Sequence, residues 1–563
     1  MPRDDRRGYT TMDRRDYLRY LGIMGAFTTL AGCTGGDQGS ENTDRTGGSS
    51  ETTLVVGQNT NLSGDEPLDP HKAVRIGTQE VLFAINEPLF RVDPDLQPAP
   101  HLAKDYTVNE NATEHTIKIQ KGITFHNGEK LTGEIARWNL ERFVSDSPES
   151  YLVGDEFLKE ITVTGDYEIK VTYKKPFPLL PRGLTAWNAS LVSRKAVENA
   201  GNQYGQQVVV GTGPYKFKEW SHGSYIATER FDAYDWGPGW VTNRGPGKIK
   251  EFRFESHPEP TTLLNELTDG GVHLSKSILL ADTDKVDGNP NTELKREKFT
   301  RQAYLCPNTQ KPPMDDVRVR KAVVHAINKK AVIQVAIGGE GYKIWALMPP
   351  MAKNTLSAKQ AKKTGQTYNP DKARQLLENA GWTNSKQGQV RTKGGTKLSI
   401  DFLTFTIPRE KRVGTTIQPM LKDVGFDVNL RVLEAGTLYN QLSAGSHDLV
   451  VMGYGGQYSL QTLSATLTSE RSAKKGGSNY SLWRNDEFDS LISKARTIPS
   501  DSKRHQALID AQLIVQKQAP VVPILAYNKV LGHKKSVKGT KTMVSDHPWW
   551  PVKEYLRHLE LSL

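Results

Sequence analysis

The residue types that could hold a small molecule gather at a few points in the chain. Gly453-Tyr454-Gly455-Gly456-Gln457-Tyr458 follows an apolar run and joins glycines, which let backbone approach a ligand closely, to tyrosines, each an apolar face with a terminal hydroxyl. Asn59 and Asn61 follow the first apolar stretch and supply uncharged donors and acceptors. Trp345, ahead of Pro349-Pro350, can serve as an apolar wall or as a core residue. None of these six (Asn59, Asn61, Trp345, Tyr454, Gln457, Tyr458) carries a charge, which predicts a neutral ligand and weak dependence on salt.

Bond-breaking chemistry finds no comparable constellation. The histidines at 71, 101, 115, 126, 222, 257 and 273 show no HxxxH or HxxH spacing, so no dedicated zinc site is expected. His71 reads as structural. Gly211-Thr212-Gly213-Pro214-Tyr215 lacks the Lys-Ser/Thr of a phosphate loop, and Pro214 removes a donor, so it reads as a turn between domains. No Gly-x-Ser-x-Gly elbow occurs, and the carboxylates show no acid/base pairing. The sequence therefore assigns no catalytic residue, no metal and no cofactor, and the expected class is a binding protein. The enzyme alternative is a secreted lipoprotein hydrolase.

The front end reads as an export signal. Arg14-Arg15 precedes a weakly apolar run from Leu21 to Gly32 that ends in Leu30-Ala31-Gly32-Cys33. Twelve residues are too few for the ~20 a membrane-spanning helix needs. The order of basic, apolar and small residues fits a signal peptide over residues 1–32. The arginine pair resembles a twin-arginine signal, and the last four residues resemble a lipoprotein box, which implies acylation of Cys33. Arg6-Arg7 precedes Met12, so translation from Met12 is an alternative start. Residues 33–52 are mostly Gly, Ser, Thr, Asp, Glu and Asn without a large apolar residue, as in a flexible tether. The implied location is the outer face of the cytoplasmic membrane, lipid-anchored.

About 510 residues remain, enough for two or three domains. Besides Cys33 only Cys306 exists, so no disulfide framework is possible. Formal charge is +11 for the chain; residues 1–32 carry six Arg and four Asp, leaving +9 beyond them. The basic residues are scattered rather than gathered on one aromatic-rich face, which argues against nucleic acid.

Elements that must position the candidate residues follow from periodicity. Ile117 and Ile119, and Ile169, Val171 and Tyr173, alternate with polar residues as strands do. Asn369-Pro370 opens a helix burying Ala373, Leu376, Leu377 and Ala380. Asp315 or Asp316 caps another, burying Val319, Ala322, Val323, Ala326 and Ile327, with Arg318 and Arg320 as ion-pair partners on its polar face. A third runs through Ala507, Ala511, Ile514 and Val515 to Pro520. Residues 398–453 read as βαβαβ, which implies parallel strands with right-handed crossovers. Ligands in open α/β sheets lie beyond the carboxyl ends of strands, here after Phe405, Leu433 and Met452.

Ordered motifs extend this reading. Leu68-Asp69-Pro70-His71, Asn86-Glu87-Pro88-Leu89, Pro98-Ala99-Pro100-His101-Leu102-Ala103, Phe125-His126-Asn127-Gly128-Glu129, Gly211-Thr212-Gly213-Pro214-Tyr215, Lys311-Pro312-Pro313 with Asp316 to Ala322, and Ala519 to Pro523 occur in sequence. With them the chain resembles family 5 of the extracellular solute-binding proteins, the peptide- and nickel-binding components of ABC importers. The resemblance implies an α/β, periplasmic-binding-protein-like fold of two hinged lobes. Lobe one would combine 53–88, 205–300 and 525–563, the inserted domain would be 89–204, and lobe two 301–524. It implies a monomer that captures a peptide-like or other small solute and delivers it to permease subunits with cytoplasmic ATPase subunits. A ligand-presenting sensor for a transmembrane receptor is the alternative. Peptide-binding relatives usually carry an acidic cluster after the strand that ends near Met452. This chain has Gln457-Tyr458-Ser459 there, which puts an ordinary free-amine peptide in doubt and favours sugars, capped peptides or metal chelates.

Overall fold

The computed structural model describes residues 53–540 and 559–561, apart from 74–75, 365–366, 384–388 and 457. Cys33, the signal, the tether and Gln457 lie outside the described residues.

Eleven strands form one long mixed sheet. In chain order they are β1 (Thr53–Gln58), β2 (Tyr215–Ser221), β3 (Tyr225–Arg230), β4 (Glu251–Ser256), β5 (Leu274–Ser275), β6 (Thr292–Pro307), β7 (Gly341–Lys343), β8 (Ser399–Phe405), β9 (Asp427–Leu433), β10 (Leu449–Tyr454) and β11 (Val522–Lys534). Their spatial order is β2-β3-β4-β1-β5-β11-β6-β10-β8-β9, with β7 on β11. β1 runs parallel to β4 and β5 at one end, and β8 runs parallel to β9 and β10 at the other.

The two ends are joined by β6 and β11, which pair antiparallel along most of their length. Thr292–Lys298 pairs with Lys534–Asn528, and Gln302–Leu305 with Ala526–Val522; the register slips between Lys298 and Gln302. Such an irregularity bends and twists a strand pair. It falls where the chain passes from one lobe to the other, so Phe299, Thr300 and Arg301 occupy the bend.

Apolar cores lie on both sides of it. Leu54, Phe83, Phe252 and Leu274 belong to one, under β1 to β5. A second, including Phe90, Ile117, Phe143 and Ile169, packs beside a separate four-stranded antiparallel sheet built from 103–108, 114–119, 158–165 and 168–173. The far lobe carries one core on each face of its sheet, around Phe402 and Val413 on one side and Tyr304, Val450 and Leu463 on the other. Continuous apolar runs such as Leu449–Met452 are what a sheet covered on both faces requires.

The βαβαβ reading of 398–453 is met: helices Pro408–Asp423 and Ala435–Ala444 connect β8, β9 and β10. Asn369 caps Pro370–Asn379 through the Lys372 amide, and Asp316 caps Val317–Ala326 through the Arg318 amide. Helix Asp501–Gln518 stops at Ala519, in left-handed backbone, just before Pro520. Arg318 pairs with Asp316 at 2.6 Å. Arg320 departs from expectation: its guanidinium donates to the carbonyls of Met314, Asp315, Gln518 and Ala519, fastening two helix ends instead of an acid.

The early motifs are structural. Glu87 is fully buried and accepts from Arg91 (2.9 Å), Tyr234 (2.8 Å), Trp236 (3.0 Å) and Thr212 (3.2 Å), with His101 at 3.0 Å. Burial alone would raise this carboxyl, but His101 and Arg91 hold it far below the usual range. Gly211 lies so close to this hub that a Cβ there would sit 2.1 Å from the Ile85 carbonyl oxygen. Asp69 grips Arg142 in a two-pronged ion pair, and Arg142 donates to His71 Nδ1 at 2.7 Å, so His71 is neutral and donates from Nε2 to the Ser190 carbonyl. No described helix is long and apolar enough to cross a membrane.

Candidate ligand cleft

Three groups of side chains meet where the strands of the far lobe end. Phe405 closes β8, Tyr454 closes β10, and Tyr439 stands on the helix after β9. The Tyr439 ring is 5.6 Å from Phe405 and 5.9 Å from Tyr480, which makes an aromatic wall. Tyr454 is half-buried at its edge.

Tyr458 is placed differently. It is 8% exposed, and its hydroxyl accepts from Arg504 Nε at 3.0 Å. The guanidinium of Arg182, which follows the four-stranded sheet in sequence, lies 5.5 Å above its ring and donates to the Leu96 carbonyl at 2.8 Å. Leu179 packs against the same apolar cluster as Tyr458. Burial lowers the Arg182 pKa while Tyr458 acts the other way. These contacts tie the smaller domain to the far lobe across the opening.

A charged group lies at the break of β6 and the start of the helix after β8. Arg301 lies at the bend of β6, and Arg409 and Glu410 begin the helix that leaves β8. Arg409 donates twice to Glu410 Oε1 (2.6 and 3.0 Å), and Arg301 Nη2 stands 3.9 Å from the same oxygen. Arg409 also covers the Tyr527 ring at 4.7 Å. A Cβ on Gly453 would lie 3.3 Å from the Gln302 carbonyl oxygen and at ordinary contact distance from Arg301 Nη2 (3.7 Å) and Glu410 Oε1 (3.9 Å). Burial and the Arg409 charge hold the Arg301 guanidinium down to about 10, with Glu410 opposing.

On the near lobe, Gln58 ends β1 and donates to Glu80 at 2.6 Å; Lys276, just past β5, meets the other Glu80 oxygen at 3.1 Å, with both side chains 5% exposed. Asn59 is exposed, and its amide is held by the carbonyls of His257 and Pro258. Asn61 lines a small, shallow hollow with Ser63, Glu66, Thr78 and Trp220. Trp345 is half-buried against Ala346, Leu356, Ala361 and Ile509. Of the six residues singled out from sequence, Tyr454 and Tyr458 come together, Asn59 and Asn61 sit on the other lobe, Trp345 joins a satellite core, and Gln457 is not described. Arg182, Arg301, Arg409 and Tyr439 escaped the sequence reading. The local signal for Arg409 was its position just after a strand, at a Pro-initiated helix start.

Two lobes joined by a pair of long crossing strands, with polar and aromatic side chains at facing strand ends, define a periplasmic-binding-protein-like architecture. Solved structures share it: NikA of Brucella suis in complex with Fe(III)-EDTA aligns at a TM-score of 0.76, with 20% identity over 91% of this chain and 100% of that one. The periplasmic binding protein DppA of Helicobacter pylori, in complex with a peptide, aligns at 0.70, with 22% identity over 90% and 98%. The family model for bacterial extracellular solute-binding proteins, family 5, matches residues 97–473, and the chain belongs to that family. Glutathione-binding protein GsiB of Escherichia coli is 24% identical over 481 residues, covering 84% of this chain and 89% of its own.

Proposed function

We propose that this protein is the substrate-binding component of an ABC-type importer, closing its two lobes on a peptide-like or other small solute and passing it to permease subunits. The observation that carries this reading is the pair of long strands with a register break that joins two lobes, each with polar or aromatic side chains at its strand ends. Ligand held between lobes contacts both only when they are together, so binding draws the population toward the closed form by its differential affinity. Closure then reports occupancy to the membrane partner.

The binding lobes are taken as 53–88 with 205–300 and 525–563, and 301–524, with 89–204 as the inserted domain. The ligand groups proposed from the near side are Asn59 and Asn61, and from the far side Tyr454, Gln457 and Tyr458, with Trp345 as an outer wall. Acylation at Cys33 would hold the monomeric domain at the outer face of the membrane, and no catalytic role is assigned. Affinity capture from detergent extracts of the native cell tests the reading. Recovery of permease and ATPase subunits is expected; recovery of a transmembrane receptor in their place would replace the importer by a sensor.

A further inference from the structure

We propose that the far-lobe segment 338–343, with Glu340 and Tyr342 as its gripping groups, is a clasp on the hinge that holds the lobes in their shut arrangement. Arg296, Glu340 and Tyr342 thereby set the affinity for the solute without touching it. This rests on the solute-binding reading and adds the device that tunes its closure.

Strand β7 lies along β11 on the far side of the register break, pairing with Tyr527, Ala526 and Leu525. It follows the helix Lys329–Ile337, whose Val332, Ile333, Ala336 and Ile337 belong to the far-lobe core. From that footing the segment reaches back across the break. Glu340 Oε1 accepts from Arg296 Nε on β6 at 2.6 Å, and Glu340 Oε2 accepts from the Asn528 side chain on β11 at 3.1 Å. Both partners lie on the near-lobe side, because Lys298 is the last β6 residue paired before the break and it faces Asn528. One carboxylate, 7% exposed, therefore holds both hinge strands. Arg296 also donates to Asp287 within the near lobe, which aims its guanidinium. The Tyr342 hydroxyl donates to the Phe299 carbonyl at 2.6 Å, and Phe299 stands inside the break, where the ladder with β11 is interrupted. Lys298 Nζ covers the Tyr342 ring at 5.7 Å.

An apolar contact repeats the connection. Leu280, which follows β5, packs against both the far-lobe core and the near-lobe cluster of Leu263, Val286 and Val530. Gly338, at a φ of 61°, turns the chain out of the helix so close to it that a Cβ would lie 3.0 Å from the Leu280 carbonyl oxygen. Rotation about Phe299–Arg301 carries β7, fixed on one side of the break, relative to Arg296 and Phe299 on the other. These bonds therefore change when the lobes swing. They coexist with the Arg182–Tyr458 contact between the smaller domain and the far lobe, so they belong to the shut arrangement. A bond made in one state and not in the other shifts the population by its own free energy, and the solute must supply whatever the clasp no longer does.

The test uses full-length protein stripped by denaturation and refolding, and the most abundant small molecule that mass spectrometry identifies among those released from native protein. Calorimetry compares wild type, Arg296→Met, Glu340→Met, the double variant and Tyr342→Phe. Each single change should raise Kd roughly 2- to 12-fold, the range for losing one net intramolecular hydrogen bond. The double variant should bind no more weakly than Glu340→Met alone, within about twofold, because both changes remove the same pair. In wild type, backbone hydrogen exchange over 294–300 and 338–343 should slow when the compound is added, a readout that needs no variant to fold. An equal or lower Kd in correctly folded variants, independent losses that multiply in the double variant, or unchanged exchange in wild type that binds the compound would overturn the clasp and leave solute binding intact. Native protein that neither yields nor rebinds any small molecule would overturn both.

Discussion

Replacing Arg182 by Met is expected to loosen ligand binding while leaving each lobe folded. The Arg182 guanidinium lies 5.5 Å above the Tyr458 ring, joining the smaller domain to the far lobe, and the proposed closure would make or tighten this contact. A cation over a tyrosine contributes ~0.5–1 kcal/mol when exposed and ~2 kcal/mol when desolvated; Arg182 is desolvated enough for burial to lower its pKa. Whatever that contact adds to closure is lost from the apparent binding free energy, so Kd should rise roughly 2- to 30-fold. Because Arg182 also donates to Leu96, the single change overstates the pair. A double-mutant cycle with Tyr458→Leu isolates it, read by titration calorimetry with the compound released from native protein. A coupling energy of ~0.5–2 kcal/mol is expected. Tyr458→Phe, which keeps the ring and loses only the hydroxyl that accepts from Arg504, should preserve that coupling. Additivity of Arg182→Met and Tyr458→Leu within ~0.3 kcal/mol would refute the idea that this contact helps to close the cleft.

Other perturbations probe the frame and the anchor. Glu87→Ala strands Arg91, 1% exposed, in the core and should cost about 3–5 kcal/mol in urea unfolding, far more than a surface substitution. Burial holds the His71 imidazole down to about 4, below its value of ~6.5 in the unfolded chain. The unfolded chain therefore binds more protons between those values, and stability should fall as pH drops from ~6.5 toward ~4; His71→Gln should remove up to about 3 kcal/mol of that dependence, measured by unfolding at a series of pH values. Cys33→Ser should release folded protein into the medium or leave the precursor unprocessed, and a variant still acylated and membrane-bound would exclude Cys33 as the attachment point.

How much of this was written locally in the chain depends on the range of each interaction. The run from Leu398 to Met452 alternates apolar strands with helical periodicity, so βαβαβ and its strand ends could be read from a 55-residue window. Caps such as Asn369 and Asp316 were equally legible, because their chemistry is complete within four residues. The crossing strands were not. Thr292–Lys298 is mostly charged, and its partner lies more than two hundred residues away, so no local pattern announces the pairing that makes the hinge. The charged group was missed for the same reason: Arg301 and Arg409 are over a hundred residues apart and looked like members of a scattered basic surface. Tyr458 was singled out as a ligand residue, and the structure sets its hydroxyl on Arg504 and its ring beneath Arg182, partners contributed by distant segments.

Small-angle scattering tests most directly whether the two lobes close on a solute. Protein stripped of its ligand by denaturation and refolding is compared with the same sample after the released small-molecule fraction is returned. The radius of gyration is expected to decrease on addition, by a rigid-body movement about the bend at Phe299–Arg301, and to recover when the ligand is removed again. An identical radius at saturating ligand, with binding verified calorimetrically in the same buffer, would contradict hinge closure.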